Sequence, residues 1–210
     1  MRSLAILGAG GQGRVVGDCA ETLGWERIAF FDDYSGADLA LPWPVVGSSE
    51  DLLARWSDFD GVVVAIGANV VRHTWRERLQ EVGASLVSLV HPRAWISTHS
   101  QIGAGTVVLA GAVVNIGSTL GEACIINTGA TVDHDCHLGN GVHVSPGAHL
   151  GGGVRVGENS WIGLGAAVRE GIIIGAGVRI GAGAVVVKPV PDNETHVGNP
   201  ARLLESPLNA

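Results

Sequence analysis

One six-residue stretch, Val132-Asp133-His134-Asp135-Cys136-His137, sets a histidine between two carboxylates. An unperturbed imidazole titrates at about 6.5, so it can accept a proton at neutral pH. A neighbouring carboxylate favours the imidazolium form and orients the ring. The chemistry available to such a trio is general base catalysis. Cys136 and His137 complete the stretch. Cys19, Cys124 and Cys136 are odd in number and show no Cys-x-x-Cys spacing, which argues against a disulfide framework or a zinc cage.

The elements that must carry this stretch announce themselves by their period. An aliphatic residue recurs at every sixth position from Ile96 through Ile102, Val108 and Val114 to Ile180 and Val186, making sixteen hexads without a slip. A period of six fits neither a helix nor a simple alternating strand, and repetition of this kind marks a hexapeptide β-solenoid. The position after each aliphatic residue is Gly in eight hexads, and two residues further on Gly appears in eleven. Both slots are read here as sharp turns that call for positive φ. The fifth slot is small or β-branched, as in Thr106, Ala112, Ser118 and Ala148, and Cys124 and Cys136 fall in it as small buried residues. Three short strands and three turns then make one triangular coil of eighteen residues. Stacked at roughly 4.8 Å, the coils span about 25 Å with the aliphatic ladder inside. Asp135 stands in a slot usually held by Gly.

Ahead of the solenoid, residues 3–7 read as a buried strand, followed by Gly8-Ala9-Gly10-Gly11-Gln12-Gly13 and a helix from about Arg14 to Leu23. A second strand, Arg27 to Phe31, ends in Asp32-Asp33. This is a G-x-G-x-x-G turn in its setting of strand, turn, helix and strand, with acids about twenty residues on. Such glycines let backbone approach a phosphate, and a helix N-terminus offers free N–H groups to it. A strand over 61–66 ends at Gly67, a helix follows over about 70–82, and Leu86 to Leu89 is expected as the last strand. One mononucleotide half of this size fits a nucleotide-linked small molecule better than NAD. The expected division is residues 1–92 and 93–210.

The 210 residues carry a net charge of −7, a single lysine at Lys188 and no basic run, which argues against nucleic-acid or anionic-membrane partners. The first eight residues are too short an apolar run for a signal peptide, and no stretch reaches eighteen apolar residues. The expected location is cytoplasmic.

Taken together, Gly8-Ala9-Gly10-Gly11, Phe31-Asp32-Asp33, Val64-Ala65-Ile66-Gly67, Asn127-Thr128, Asp133-His134-Asp135-Cys136 and Val197-Gly198-Asn199-Pro200-Ala201 resemble a known family. It is the bacterial sugar acyltransferases of the sialic-acid O-acetyltransferase group, and most closely the N-acetyltransferases of UDP-4-amino sugars of the bacillosamine type, with GDP-perosamine N-acetyltransferases nearly as similar. The resemblance spans nearly the whole chain. It implies a Rossmann-like domain joined to a left-handed parallel β-helix, a homotrimer, and acetyl-CoA as co-substrate without a metal. It also implies His134 as general base, Asp135 as the carboxylate that raises its basicity, and Asn127 in the acetyl-transfer site. His143, Leu164 and Ala182 match acetyl-CoA contacts. Gly10, Gly11, Gln12, Asp32, Asp33 and Gly67 match contacts to a nucleotide sugar. Two departures stand out: the family commonly has histidine where this chain has Gln12, and often Glu where it has Asp135. The tail from Pro189 to Ala210 is expected to fold back on the last coil.

Three other functions fit parts of the pattern. O-acetylation of a sialic acid shares the motifs. A zinc site like that of γ-type carbonic anhydrases would use His134, His137, His143 and His149, but their spacing gives no i, i+2 pair on one strand face. A binding scaffold would explain the glycine turn and the solenoid, but not three ionisable residues at Asp133, His134 and Asp135.

Overall fold

The computed structural model describes residues 1–34 and 42–205, so residues 206–210 of the expected tail lie outside the described residues. Four parallel strands open the chain: β1 (Ser3–Leu7), β2 (Arg27–Phe31), β3 (Val45–Gly47) and β4 (Gly61–Val64), in the order β3-β2-β1-β4. Three helices connect them or follow: α1 (Gly11–Thr22), α2 (Ser49–Arg55) and α3 (Asn69–Glu81). The continuous apolar run of β1 is buried on both faces, as parallel strands are.

α1 begins three residues ahead of the expected Arg14, inside the glycine motif. Gly13 lies so close to the backbone of Gly8 that a Cβ there would collide with its carbonyl. The glycines therefore serve close packing of helix on strand as well as the turn. β3 and α2 were not read from the sequence, although Ser48 and Asp51 form a capping box at the start of α2.

From Leu89 the chain winds into a three-faced prism. Along the first face run Leu89–Val90, Val107–Val108, Ile125–Ile126, His143–Val144, Trp161–Ile162 and Arg179–Ile180; the second carries Trp95–Ile96 to Val185–Val186, and the third Gln101–Ile102 to Ile173–Ile174. Within a face each strand pairs in parallel with the strand one 18-residue coil further on, as Ile125 does with His143 and Thr131 with His149. The ladder from Val108 to Val186 fills the interior with the small fifth-slot residues. Each fully buried Val or Ile contributes about 1.5–3 kcal/mol.

The strand expected over Leu86 to Leu89 is instead Leu89–Val90, and it pairs with Val107–Val108 as the first rung of the prism. Leu86 makes only a single bridge to Val62.

The two glycine slots have different causes. Gly105 and its equivalents adopt positive φ, and Asp135 takes the same conformation at φ 59°. The slot after the aliphatic residue has no such φ. Where that slot holds Gly, the coil alongside leaves no room for a side chain, since a Cβ on Gly103 would lie 2.5 Å from the backbone of Gly121.

The tail leaves the register: Arg179 pairs with Thr195 and Ile180 with His196, two residues short of a full coil, before Arg202–Leu203 folds back antiparallel. No helix among the described residues is long and apolar enough to cross a membrane.

α3 fastens the first domain to the corner between the third and first faces. Arg72, 1% exposed, donates to the carbonyls of Ala123 and Gly141 on the prism, to those of Ile66 and Gly67 after β4, and to the side chain of Asn69. Asn69 in turn donates to the carbonyls of Asn159 and Ser160.

Candidate active site

His134 sits at the corner between the second and third faces, on a backbone held at every side. Its N–H donates to Asp133 Oδ1 at 2.8 Å, and its carbonyl accepts from Gly153 N at 2.8 Å. Its Nδ1 lies 2.9 Å from Asp135 Oδ2, so in the neutral ring Nδ1–H donates to the carboxylate and Nε2 is left as the lone-pair nitrogen. Nε2 is the polar atom of His134 that has no partner among the described residues. Asp135 adopts the left-handed φ of this slot, which Gly fills in eleven of the sixteen hexads and which Asp tolerates better than most residues. The side chains of His134 and Asp135 are 58% and 70% exposed, so the pair faces outward. The Asp135 hydrogen bond, with the charge of Asp133 adding to it, raises the His134 pKa above its ordinary value.

The ring lies over Gly152 of the next coil, where an added Cβ would come within 2.5 Å of Nε2. Gly152 has no positive φ, so alanine is tolerated by the backbone but displaces the imidazole. We expect Gly152→Ala to melt like the parent yet lose about 10²-fold in kcat, the scale of a misplacement of about 1 Å. Steady-state kinetics beside a thermal melt check this.

Around the first face lies a cleft of about 570 Å³, lined among others by His143, Ser145, Trp161, Leu164, Arg179 and Ala182. All three expected acetyl-CoA contacts therefore share one cavity. His143 stacks flat on Trp161, with centroids 5.6 Å apart and an interplanar angle of 4°, and Arg179 covers Trp161 at 5.4 Å. The three side chains are register partners on successive coils. Burial, aided by the Arg72 charge, pushes His143 down to about 4, so it is neutral at pH 7. Asn127 accepts from Thr128 N through Oδ1, which turns its Nδ2 toward His143 Nε2 at 3.1 Å. His143 Nε2 is thus the acceptor, and His143 is not a second base in this arrangement. The reading from sequence missed Trp161 and Arg179; their signal was aromatic and basic residues in one strand slot of successive coils.

A second cavity, of about 540 Å³, opens at the C-terminal ends of β1, β2 and β4. Gly10, Gly11, Gln12, Asp32, Asp33 and Gly67 all line it. The free N–H groups at the start of α1 face this region, a ready anion site. Gln12 Nε2 is buried with no hydrogen-bond partner among the described residues. Both acids are already engaged: Asp32 accepts from the N–H of Ala9 and Tyr34, and Asp33 from the N–H and hydroxyl of Ser49. Asp33 therefore also anchors β2 to α2. Among the described residues no group of three or more His, Cys, Asp or Glu is arranged to hold a metal.

A β-prism with an outward-facing histidine–aspartate pair and a cleft on one face, joined to a nucleotide-type βαβ unit, is the architecture of a hexapeptide-repeat acyltransferase. Residues 3–79 match the PglD N-terminal domain and residues 153–188 the bacterial transferase hexapeptide of six repeats. The acetyltransferase domain of PglB from Neisseria gonorrhoeae FA1090, solved with acetyl coenzyme A, is 45% identical with a TM-score of 0.93, over 97% of this chain and 99% of that one. PerB from Caulobacter crescentus, solved with CoA and GDP-perosamine, is 39% identical with a TM-score of 0.91, over 97% and 98% of the two chains. UDP-N-acetylbacillosamine N-acetyltransferase of Bacillus subtilis (strain 168) is 37% identical over 115 residues, a match that spans about half of each protein, 52% of this chain and 52% of that relative. The chain belongs to this family of hexapeptide-repeat sugar N-acetyltransferases, with a Rossmann-like domain and a left-handed parallel β-helix.

Proposed function

We propose that this protein transfers the acetyl group of acetyl-CoA to the amino group of a UDP-linked 4-amino sugar, with His134 as general base and Asp135 raising its basicity. The observation that carries the reading is the single free nitrogen of His134: every other polar atom of that residue is tied to Asp133, Asp135 or Gly153. In the reaction the amine nitrogen attacks the thioester carbon while Nε2 takes up the amine proton. The C–N bond forms, the C–S bond breaks, and the proton passes to the departing thiolate. No covalent enzyme intermediate is required.

The nucleotide end belongs in the cavity of Gly10, Gly11, Gln12, Asp32, Asp33 and Gly67, with the phosphates at the start of α1. Acetyl-CoA belongs in the cleft of His143, Leu164 and Ala182, with Asn127 beside the acetyl group. A UDP acceptor draws support from the Bacillus relative. The base and the cleft stand on different corners of one prism, and a homotrimer brings one chain's cleft corner against its neighbour's His134 corner. Dependence on acetyl-CoA and a nucleotide sugar supports a cytoplasmic reaction.

The experiment is thiol release from acetyl-CoA across UDP- and GDP-4-amino sugars and free sialic acid, run beside sedimentation at micromolar protein. A trimer with highest kcat/KM on a UDP-4-amino sugar is the expected result. Preference for sialic acid, or a fully active monomer, would overturn the acceptor or the assembly respectively.

A further inference from the structure

Asp133 has no part in the proton transfer just described, yet it is among the most tightly held side chains of the corner. Its Oδ1 accepts two hydrogen bonds, from His134 N at 2.8 Å and from Asn115 Nδ2 of the preceding coil at 2.9 Å. The backbone of the same residue is tied both ways: its N–H donates to Leu150 O of the following coil, and its carbonyl accepts from the Ser118 hydroxyl. Asn115 itself is fixed through its backbone, by Val132 O and by the Ser100 hydroxyl. The result is a strut, Asn115 to Asp133 to His134 N, that crosses from one coil to the next and ends at the base.

We infer that Asp133 is a positioning residue for acetyl transfer: braced by Asn115, it fixes the backbone of His134 and supplies a second negative charge beside the imidazole. The inference rests on His134 acting as the base. The geometry separates the two carboxylates by task. Asp135 bonds the ring at Nδ1 and sets its tautomer, whereas Asp133 bonds the backbone and leaves the ring free. Accepting two hydrogen bonds on one oxygen also favours ionised Asp133, its carboxyl held below the usual range first by Asn115 and then by His134 N.

Few other charges face His134. The hexad above offers Asn115, Ile116 and Gly117, and the one below Gly151, Gly152 and Gly153, none of them charged. On its own hexad stand Asp133, Asp135 and His137, whose Nδ1 lies 3.1 Å from Asp135 O.

Two substitutions divide the roles. Asn115→Ala removes the brace and keeps the charge; kcat should fall roughly 10-fold with the acidic limb of the pH-rate profile unmoved. Asp133→Asn keeps an acceptor oxygen for both donors and removes the charge. Losing a negative charge lowers the imidazole pKa, so the acidic limb should move to lower pH, by about half a unit for one charge some 6 Å away in water. Both variants should retain the parent's melting temperature, and a purely structural role would not move the limb.

An Asp133→Asn enzyme with the parent's limb, or an Asn115→Ala enzyme within about twofold of the parent in kcat, overturns the inference. His134→Ala run in the same series keeps the two claims apart. If it is inactive while Asp133→Asn and Asn115→Ala match the parent, only the role of Asp133 falls; if it is fully active, the base assignment falls first.

Discussion

His134→Ala lowers kcat by about 10²- to 10⁴-fold, the usual worth of a positioned base, and changes the acceptor KM far less. The asymmetry follows from where the lost interaction lives. Nε2 meets the amine proton as the C–N bond forms, so its removal costs transition-state stabilisation and little ground-state binding. The fold should not respond, because the side chain is 58% exposed and contributes nothing to the aliphatic ladder.

Asp135→Asn is milder and carries its own signature. The hydrogen bond from Asp135 is the first cause of the raised His134 pKa. A base works deprotonated, so activity in the parent falls as pH drops through that raised pKa. Removing the charge lowers the pKa and moves the acidic limb to lower pH, while the plateau drops because the ring loses its orientation. Stopped assays of both variants from acid to neutral pH, with a melt of each, read all of these together.

The second large effect belongs to stability. Arg72→Met removes five donated hydrogen bonds at the junction of the two domains and leaves the buried carbonyls of Ala123 and Gly141 without that donor. At about 1–3 kcal/mol for each of these two orphaned carbonyls, the expected loss is about 2–6 kcal/mol. For a chain of this size that is roughly 10 °C in Tm. Among the described residues the guanidinium has no carboxylate partner: burial pushes it down to about 10, so it remains charged at neutral pH and is satisfied there by carbonyl oxygens. Calorimetry of the variant decides the point, and a Tm within about 2 °C of the parent's would show that the junction is held elsewhere.

Arg72 also marks where sequence reading stops. Its prism partners are backbone carbonyls 51 and 69 residues away, and a carbonyl leaves no trace in the residue type at its position. The solenoid was legible for the opposite reason. Its ladder from Ile96 to Val186 repeats a side-chain requirement at every sixth residue, and pairing one coil apart follows from that period.

Where two physical causes select the same residue, the pattern was read too simply. Gly103 and Gly105 look alike on paper, yet one is excluded from carrying a Cβ by the neighbouring coil and the other is set by φ. The first rung, Leu89–Val90, escaped because His91-Pro92-Arg93-Ala94 lacks the glycines that flag later turns. At the site, His134 and Asp135 stood out because their charges interrupt a small-residue pattern. Trp161 and Arg179 did not, since one aromatic and one basic residue on outward strand positions are ordinary until the coils stack them beside His143.

The most direct test of the account is the structure of the protein bound to CoA and to the amino-sugar nucleotide it prefers. The account places the acceptor nitrogen at about 3 Å from His134 Nε2, with the nucleotide against Gly10, Gly11 and Asp32 and the pantetheine thiol in the cleft of His143 and Leu164. An acceptor nitrogen resting on another group, or a nucleotide bound away from that glycine turn, would contradict it.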